Sequence, residues 1–320
     1  MESESSQPLV SMLIPSFNHA QYVKACIESI IAQDYRNIEL IIIDDGSADC
    51  SVEEIERLVP ACADRFPRFE FRSRPNKGLA ATINEALEWA RGKYFAAIAS
   101  DDLLHPTKTS SLLAHIDPDE NIAGVFSGCE YINQTGSVVG RLTPLPAYIT
   151  FDDIITLKHS VVASSQLLRL KSVKEVGCYL VGLYIEDWYM WLSLTKGGYK
   201  LKVVPDILVQ YRQHESNISK NALKMFESSK WILGVFKDHP LYMLSMAQIY
   251  ILAAINFSCI SKRQSAGYLI EAVIYKHSIV FTLPFMSGVA RLFVPCFVLK
   301  TFWRAKAWCH INIIGVRHSW

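Results

Sequence analysis

Apolar runs alternate with helix-like segments through the first hundred residues of this 320-residue chain. Four runs rich in Val, Ile, Leu or aromatic residues predict strands at residues 9–15, 37–43, 68–73 and 93–99. Apolar side chains at helical spacing predict helices at residues 22–32, 52–62 and 79–90. Strands that alternate with helices of this length predict right-handed βαβ units and a mostly parallel sheet.

Each predicted strand ends in a polar loop. The four loops lie at residues 16–18, 44–49, 74–78 and 100–102. Ligands of parallel sheets bind beyond the carboxyl ends of the strands, so we expect these loops to converge on one crevice. Ser51 and Glu54 have the spacing of a capping box, which predicts the start of the second helix.

The fourth loop carries two adjacent carboxylates, Asp101 and Asp102, preceded by Ala99 and Ser100. Neighbouring carboxylates at the mouth of a buried strand resist ionising together. A divalent cation such as Mg²⁺ or Mn²⁺ removes that cost and usually shares its ligand shell with substrate phosphates. The pair therefore indicates a metal-nucleotide site or, alternatively, a cap for the helix predicted beyond Pro106.

Six motifs along the chain resemble, in order, those of inverting family 2 glycosyltransferases. They are Pro15-Ser-Phe-Asn18, Asp44-Asp-Gly-Ser-x-Asp49, Asn76-Lys-Gly78, Ser100-Asp-Asp102, Glu186-Asp-Trp-Tyr-Met-Trp191 and Tyr211-Arg-Gln-His214. The resemblance implies an α/β GT-A fold, Rossmann-like, with helices flanking a mostly parallel central sheet. It also implies transfer of a hexosyl or N-acetylhexosaminyl group from a nucleotide-diphosphate sugar to a glycan or lipid-linked glycan, in bacterial surface polysaccharide assembly.

The resemblance implies a donor site that spans all four loops. Its expected residues are Pro15, Ser16, Asn18, Asp45, Asn76, Lys77, Gly78 and Asp101. An Asp45 carboxylate that accepts from a ring N–H of the base favours uracil, and so a UDP-sugar. Backbone N–H groups and a Lys at the start of a helix suit the diphosphate at residues 76–78 or the ordering of that loop, and an exposed lysine such as Lys77 is usually only solvated.

By the same resemblance, Asp102 and His214 are the expected ligands of a Mn or Mg ion. A single His is also compatible with an ordinary hydrogen-bonding role. Ala99 stands where the commonest family motif has its leading Asp. A nucleotide-sugar-binding protein with a retired active site is therefore an alternative, as is a sugar nucleotidyltransferase, although the first loop has no glycine to bind phosphate.

Inverting transfer also needs a base for the acceptor hydroxyl. The resemblance assigns that role to Asp187, with Glu186 as a neighbour that positions it or binds the acceptor. The alternative is that both acids only stabilise the start of the helix that follows them. Residues 164–166, Ser-Ser-Gln, are expected on the acceptor side.

The chain is longer than a usual single domain. We expect a glycosyltransferase domain at residues 1–220, with nucleotide binding at 8–130 and the acceptor side at 131–220. A helical region is expected at residues 221–320. Residues 241–260 lack charge and are long enough to span a membrane, but Ser, Gln and Asn within them favour a packed helical hairpin with its turn at 261–265.

The last part of the chain is strongly basic and aromatic, although the net charge of the whole is only +1. After residue 257 there are eight Lys and Arg residues against a single acid, Glu271, together with eight Phe and Trp residues. This mixture favours an anionic membrane surface over nucleic acid as the partner, and a homodimer interface is an alternative use. Residues 1–7 lack the features of a secretory signal, so we expect a cytoplasmic protein, peripheral at the inner face of the membrane.

Overall fold

The computed structural model describes residues 7–142, 146–215 and 217–299. The chain forms two compact units, one within residues 1–150 and 161–213 and the other within residues 151–160 and 214–320. The domains predicted at 1–220 and 221–320 differ from these units in the segments 151–160 and 214–220, and as independent folding domains they stay a prediction.

The described residues contain ten strands and twelve α-helices. The strands are β1 (Val10–Ser16), β2 (Ile38–Asp44), β3 (Phe69–Ser73), β4 (Tyr94–Ala97), β5 (Leu103–Leu104), β6 (Ile122–Ile132), β7 (Val138–Leu142), β8 (Tyr148–Ile149), β9 (Leu167–Arg169) and β10 (Lys200–Arg212). The helices are α1 (Val23–Ile31), α2 (Ser51–Glu56), α3 (Val59–Arg65), α4 (Leu79–Trp89), α5 (Lys108–Ile116), α6 (Phe151–Ile155), α7 (Leu170–Glu175), α8 (Glu186–Lys196), α9 (Ala222–Val235), α10 (Tyr242–Phe257), α11 (Lys262–Tyr275) and α12 (Leu283–Phe293). Short 3-10 helices lie at Ala163–Ser165, Ile218–Lys220 and His277–Phe281.

The first unit is built on one sheet with the order β3-β2-β1-β4-β9-β6-β10-β5, with β7 beside β6 and β8 beside β10. Strands β3, β2, β1 and β4 are parallel neighbours, as are β6 and β10. The short strands β5, β7, β8 and β9 pair antiparallel. The predicted mostly parallel sheet is confirmed, and it brings the carboxyl ends of β1, β2 and β3 to one edge.

Local sequence explains features of both the strands and the helices of this unit. Every residue of β2 is buried, as a strand covered on both faces requires. The predicted helix 52–62 is two helices, because Pro60 has no N–H to donate and is accommodated in the first turn of α3. The capping box is wrong: α2 has no side-chain cap, and the Ser51 hydroxyl donates instead to Asp49 at 2.5 Å.

The second unit is helical, and its core is rich in aromatic rings. Phe226 of α9 lies 5.2 Å from Tyr250 of α10 and 4.9 Å from Tyr268 of α11, measured between ring centroids. Phe151 of α6 lies 5.3 Å from Phe236, so the segment 151–160 contributes to this core. Helices α10 and α11 pack together, and the turn between them lies before residue 262 rather than at 261–265.

Within the described ranges, no helix is both long enough and apolar enough to cross a membrane. The basic and aromatic residues predicted to contact lipid after residue 299 lie outside the described residues.

Candidate active site

The ends of β1 and β2 are joined through their loops. Asn18, at φ 55°, accepts a hydrogen bond from the backbone of Ala48 at 2.7 Å and donates its own N–H to the Ser47 hydroxyl at 2.8 Å. The Asp49 carboxylate accepts from the Ala20 N–H at 3.0 Å. These hydrogen bonds hold the loops after β1 and β2 together.

The predicted donor residues Pro15 and Ser16 are the last two residues of β1. Pro15 pairs with Ile43 and Ser16 with Asp44 in the register of β1 and β2. The Ser16 hydroxyl is buried and has no hydrogen-bond partner among the described residues. Asp44 is also buried, and its carboxylate accepts from the backbone N–H of Ser47 at 2.9 Å, so it closes its own loop.

Asp45 holds the third loop in place. Its carboxylate accepts from the backbone N–H groups of Lys77 at 2.8 Å and Gly78 at 2.9 Å, and it pairs with the Arg74 guanidinium. The Asn76 side chain also accepts from the Gly78 N–H, at 3.1 Å. Two N–H groups expected to face a diphosphate are therefore bonded to Asp45, and the Lys77 side chain is exposed.

The two carboxylates of the fourth loop have different surroundings. Asp102 is fully buried, and it accepts from the Ser164 hydroxyl at 2.6 Å and from the Arg212 backbone N–H at 2.9 Å. Burial, reinforced by the charge of Asp101, raises the pKa of Asp102 well above its usual value. The pair does not cap the next helix, because α5 begins at Lys108.

Asp101 belongs to a group that can hold a metal ion. The Nδ1 atom of His19 lies 2.8 Å from the Ser100 hydroxyl and 3.9 Å from an Asp101 carboxylate oxygen. His19 and Asp101 of the first unit each offer one ligand atom, while the predicted ligand His214 belongs to the second unit. A carboxylate suits Mn²⁺ or Mg²⁺, and an imidazole is a common ligand of divalent transition metals, so these two side chains can contribute to a metal site without fixing which metal binds. Sequence reasoning missed His19, whose only signal was its place directly after Asn18.

Glu186 and Asp187 form the first turn of α8. Glu186 is buried, Asp187 is half-buried, and an Asp187 oxygen accepts from the Trp188 N–H at 2.7 Å. Burial raises the pKa of Glu186 to about 8, with the charge of Asp187 adding to the effect, and burial raises that of Asp187 to about 6. Both carboxyl groups are therefore harder to ionise than usual, and the more buried Glu186 is the harder of the two.

Residues 164–166, expected on the acceptor side, form hydrogen bonds to the acidic loop and to two helices. Ser164 binds Asp102, as described above, and the Gln166 side chain accepts from the indole N–H of Trp191 on α8 at 2.8 Å. The Gln166 carbonyl accepts from the buried ammonium of Lys108 at 3.1 Å. These bonds join the acidic loop, α5 and α8.

Comparison with known proteins relates this site to a family. The sequence model described as "Glycosyl transferase family 2" matches residues 11–177. An uncharacterized glycosyltransferase of Rickettsia typhi is 28% identical over 236 residues, which is 71% of each chain. The Escherichia coli UDP-Glc:alpha-D-GlcNAc-diphosphoundecaprenol beta-1,3-glucosyltransferase WfgD is 29% identical over 263 residues, 78% of this chain and 94% of WfgD. Pasteurella multocida chondroitin synthase is 34% identical over 134 residues, and this match spans only 14% of that enzyme.

Two solved structures share the fold at 14% sequence identity. Staphylococcus aureus TarS 1–349 in complex with UDP-GlcNAc has a TM-score of 0.62 over 97% of this chain and 95% of that one. The mannosyltransferase PcManGT from Pyrobaculum calidifontis, in complex with GDP-Man and Mn²⁺, has a TM-score of 0.61 over 94% of this chain and 88% of that one. The expected GT-A fold with a helical C-terminal region is confirmed.

Proposed function

This chain belongs to glycosyl transferase family 2, and we propose that it transfers one sugar from a UDP-sugar to a hydroxyl of a glycan acceptor with inversion at the anomeric carbon. A nucleotide-sugar donor and a glycan acceptor follow from the family. The observation that carries the proposal is the Glu186–Asp187 pair, in which one carboxylate is buried and the other is half-exposed at the start of α8.

Asp187 is the proposed base. The acceptor oxygen forms a bond to the anomeric carbon, the bond from that carbon to the diphosphate oxygen breaks, and the hydroxyl proton passes to Asp187. Because Glu186 is the more buried acid, it is harder to ionise than Asp187, which is the acid that ionises for this step. A positioned base of this kind contributes roughly 10²- to 10⁴-fold to the rate.

The proposed metal ligands are His19 and Asp101 of the first unit, whose Nδ1 atom and carboxylate oxygen lie 3.9 Å apart. The predicted ligand His214 belongs to the second unit, and its role stays a prediction. A divalent ion held there would offset the negative charge that develops on the departing diphosphate. We assign Asp102 to a different role from the predicted one: both of its oxygens are hydrogen-bonded, so it holds Ser164 and Arg212 in place.

For the donor and acceptor, the relative WfgD is the best guide, because the alignment covers nearly all of it. Its name gives UDP-Glc as donor and a GlcNAc-diphospholipid as acceptor. We propose the same chemical classes here, a UDP-hexose and a lipid-linked glycan. This choice defines the substrates for the first assays.

A lipid-linked acceptor is consistent with the surface of the second unit. Phe281 is 85% exposed and Phe293 at the end of α12 is 82% exposed, while Arg263 and Lys276 are exposed on and beside α11. A surface that exposes both apolar rings and cationic side chains suits an anionic bilayer. The proposed location is therefore the surface of a membrane that carries the acceptor.

Replacement of Asp187 by asparagine tests the proposed function. The variant keeps the shape of the side chain but removes the base, so transfer from UDP-glucose to a GlcNAc-diphospholipid should fall by roughly 10²- to 10⁴-fold, while the dissociation constant of UDP stays unchanged. The matched control is Asp152→Asn, which alters an exposed acid in the first turn of α6 and should transfer normally. Near-normal turnover by the Asp187 variant would refute the assignment.

A further inference from the structure

The loop between α7 and α8 leads directly into the acid pair and exposes apolar side chains. Val181 is 58% exposed and Tyr184 is 41% exposed. Positive φ angles at Gly177 (98°), Cys178 (63°) and Gly182 (93°) turn the backbone sharply along this loop. Cys178 is notable, because non-glycine residues seldom adopt that conformation.

Both ends of the exposed part are fixed. The Asn84 side chain of α4 donates to the Tyr179 carbonyl at 2.7 Å and accepts from the Tyr179 N–H at 2.9 Å, a two-point attachment for a backbone unit whose ring is buried. At the other end Ile185 and Glu186 are buried. Residues 180–184 are therefore held between two anchors, and Tyr184 keeps a defined position in which 41% of its surface is exposed.

That position precedes the proposed base by three residues. The Cα atoms of Tyr184 and Asp187 therefore lie at most about 11 Å apart. A pyranose ring is about as wide as a tyrosine ring, and one of its faces presents mainly C–H groups, which an aromatic face can cover while the phenol hydroxyl stays in water. Binding sites for small molecules commonly combine such rings with a few polar groups.

We propose that Tyr184, with Val181 on the same anchored loop, stacks on the sugar ring of the acceptor and so determines which acceptor is used. The inference rests on the proposed function, because it takes Asp187 as the base that receives the acceptor proton. It adds a contact that binds the acceptor ring beside that base. A fixed aromatic ring does this at little entropic cost, since the loop is already ordered by Asn84 and Ile185.

The test compares Tyr184→Ala with Tyr184→Phe, using UDP-glucose and a GlcNAc-diphosphate carried on a short alkyl chain. The alanine variant should raise the KM for this acceptor by about tenfold, with the dissociation constant of UDP and the kcat at saturating acceptor unchanged. The phenylalanine variant should restore the KM, because it keeps the ring face. Tyr148→Ala is the matched control, since Tyr148 is 45% exposed on β8 of the same unit.

An unchanged acceptor KM in Tyr184→Ala would overturn the inference, as would an equal rise in the donor KM. Failure here is distinct from failure of the proposed function. Loss of transfer in Asp187→Asn together with a normal Tyr184→Ala would leave the base assignment intact and remove only the acceptor contact. If the unaltered protein transfers no sugar to this probe, the proposed acceptor class is wrong and the role of Tyr184 falls with it.

Discussion

Replacing Glu186 by glutamine should change how the stability of the protein depends on pH. Burial raises the pKa of Glu186 from 4.5 to about 8, with the charge of Asp187 adding to the effect. Between these two values the folded protein holds a proton on Glu186 that the unfolded chain has lost. Stability linked to this group is therefore fully present at low pH and is lost as the pH rises toward 8.

The size of the effect follows from one proton. Across the window from about pH 5 to pH 8, the folding equilibrium of the unaltered protein should fall by up to tenfold per pH unit relative to the Glu186→Gln variant. The amide of glutamine stays neutral throughout, so any cost of burying it is a constant offset. The test is therefore how the difference in stability between the two proteins changes with pH, and not its value at one pH.

The assay is urea unfolding followed by tryptophan fluorescence, since Trp188 and Trp191 lie on the same helix as Glu186. The midpoint of the variant minus that of the unaltered protein should increase steadily from pH 5 to pH 8. Glu56→Gln, at an exposed glutamate that ends α2, should show no such trend. A difference that is flat with pH, or that grows on acidification, would refute the description of Glu186 as a buried acid that is hard to ionise.

Two further predictions concern the metal and the membrane. Asp101→Asn should abolish Mn²⁺ binding measured by electron paramagnetic resonance. Asp102→Asn should keep the Mn²⁺ affinity but lower the melting temperature, because it removes a buried acceptor of two hydrogen bonds. Loss of Mn²⁺ binding only in the Asp102 variant would reverse the assignment. The double variant Phe281→Ser, Phe293→Ser should co-sediment severalfold less with vesicles of phosphatidylglycerol. Leu223→Ser, at an exposed residue of α9, should co-sediment normally. Unchanged sedimentation of the double variant would contradict the membrane role.

Much of the first unit is predictable from sequence because its determinants are local. The apolar runs at 9–15 and 37–43 correspond to β1 and β2, and the helical period at 79–90 corresponds to α4. The convergence of the loops at one sheet edge follows from the βαβ connections. The division of the segment 52–62 into two helices was not predicted, because its apolar residues keep a helical spacing across Pro60.

The parts that could not be predicted depend on partners far apart along the chain. The different surroundings of Asp101 and Asp102 are set by Ser164 and Arg212, which bind Asp102 from more than sixty positions away. The engagement of Asp45 with the N–H groups of residues 77–78 is likewise set by tertiary contact. The association of residues 151–160 with the second unit leaves no local pattern at all.

The central claim is inverting transfer from a UDP-sugar, and the stereochemistry of the product tests it most directly. UDP-glucose carries an α-linked sugar, so incubation of the unaltered protein with UDP-glucose, Mn²⁺ and the GlcNAc-diphosphate probe should give a β-linked disaccharide, identified by proton NMR of its anomeric coupling. An α-linked product would contradict the inverting mechanism. A folded protein that binds none of the UDP-hexoses tested would contradict the proposed UDP-hexose donor.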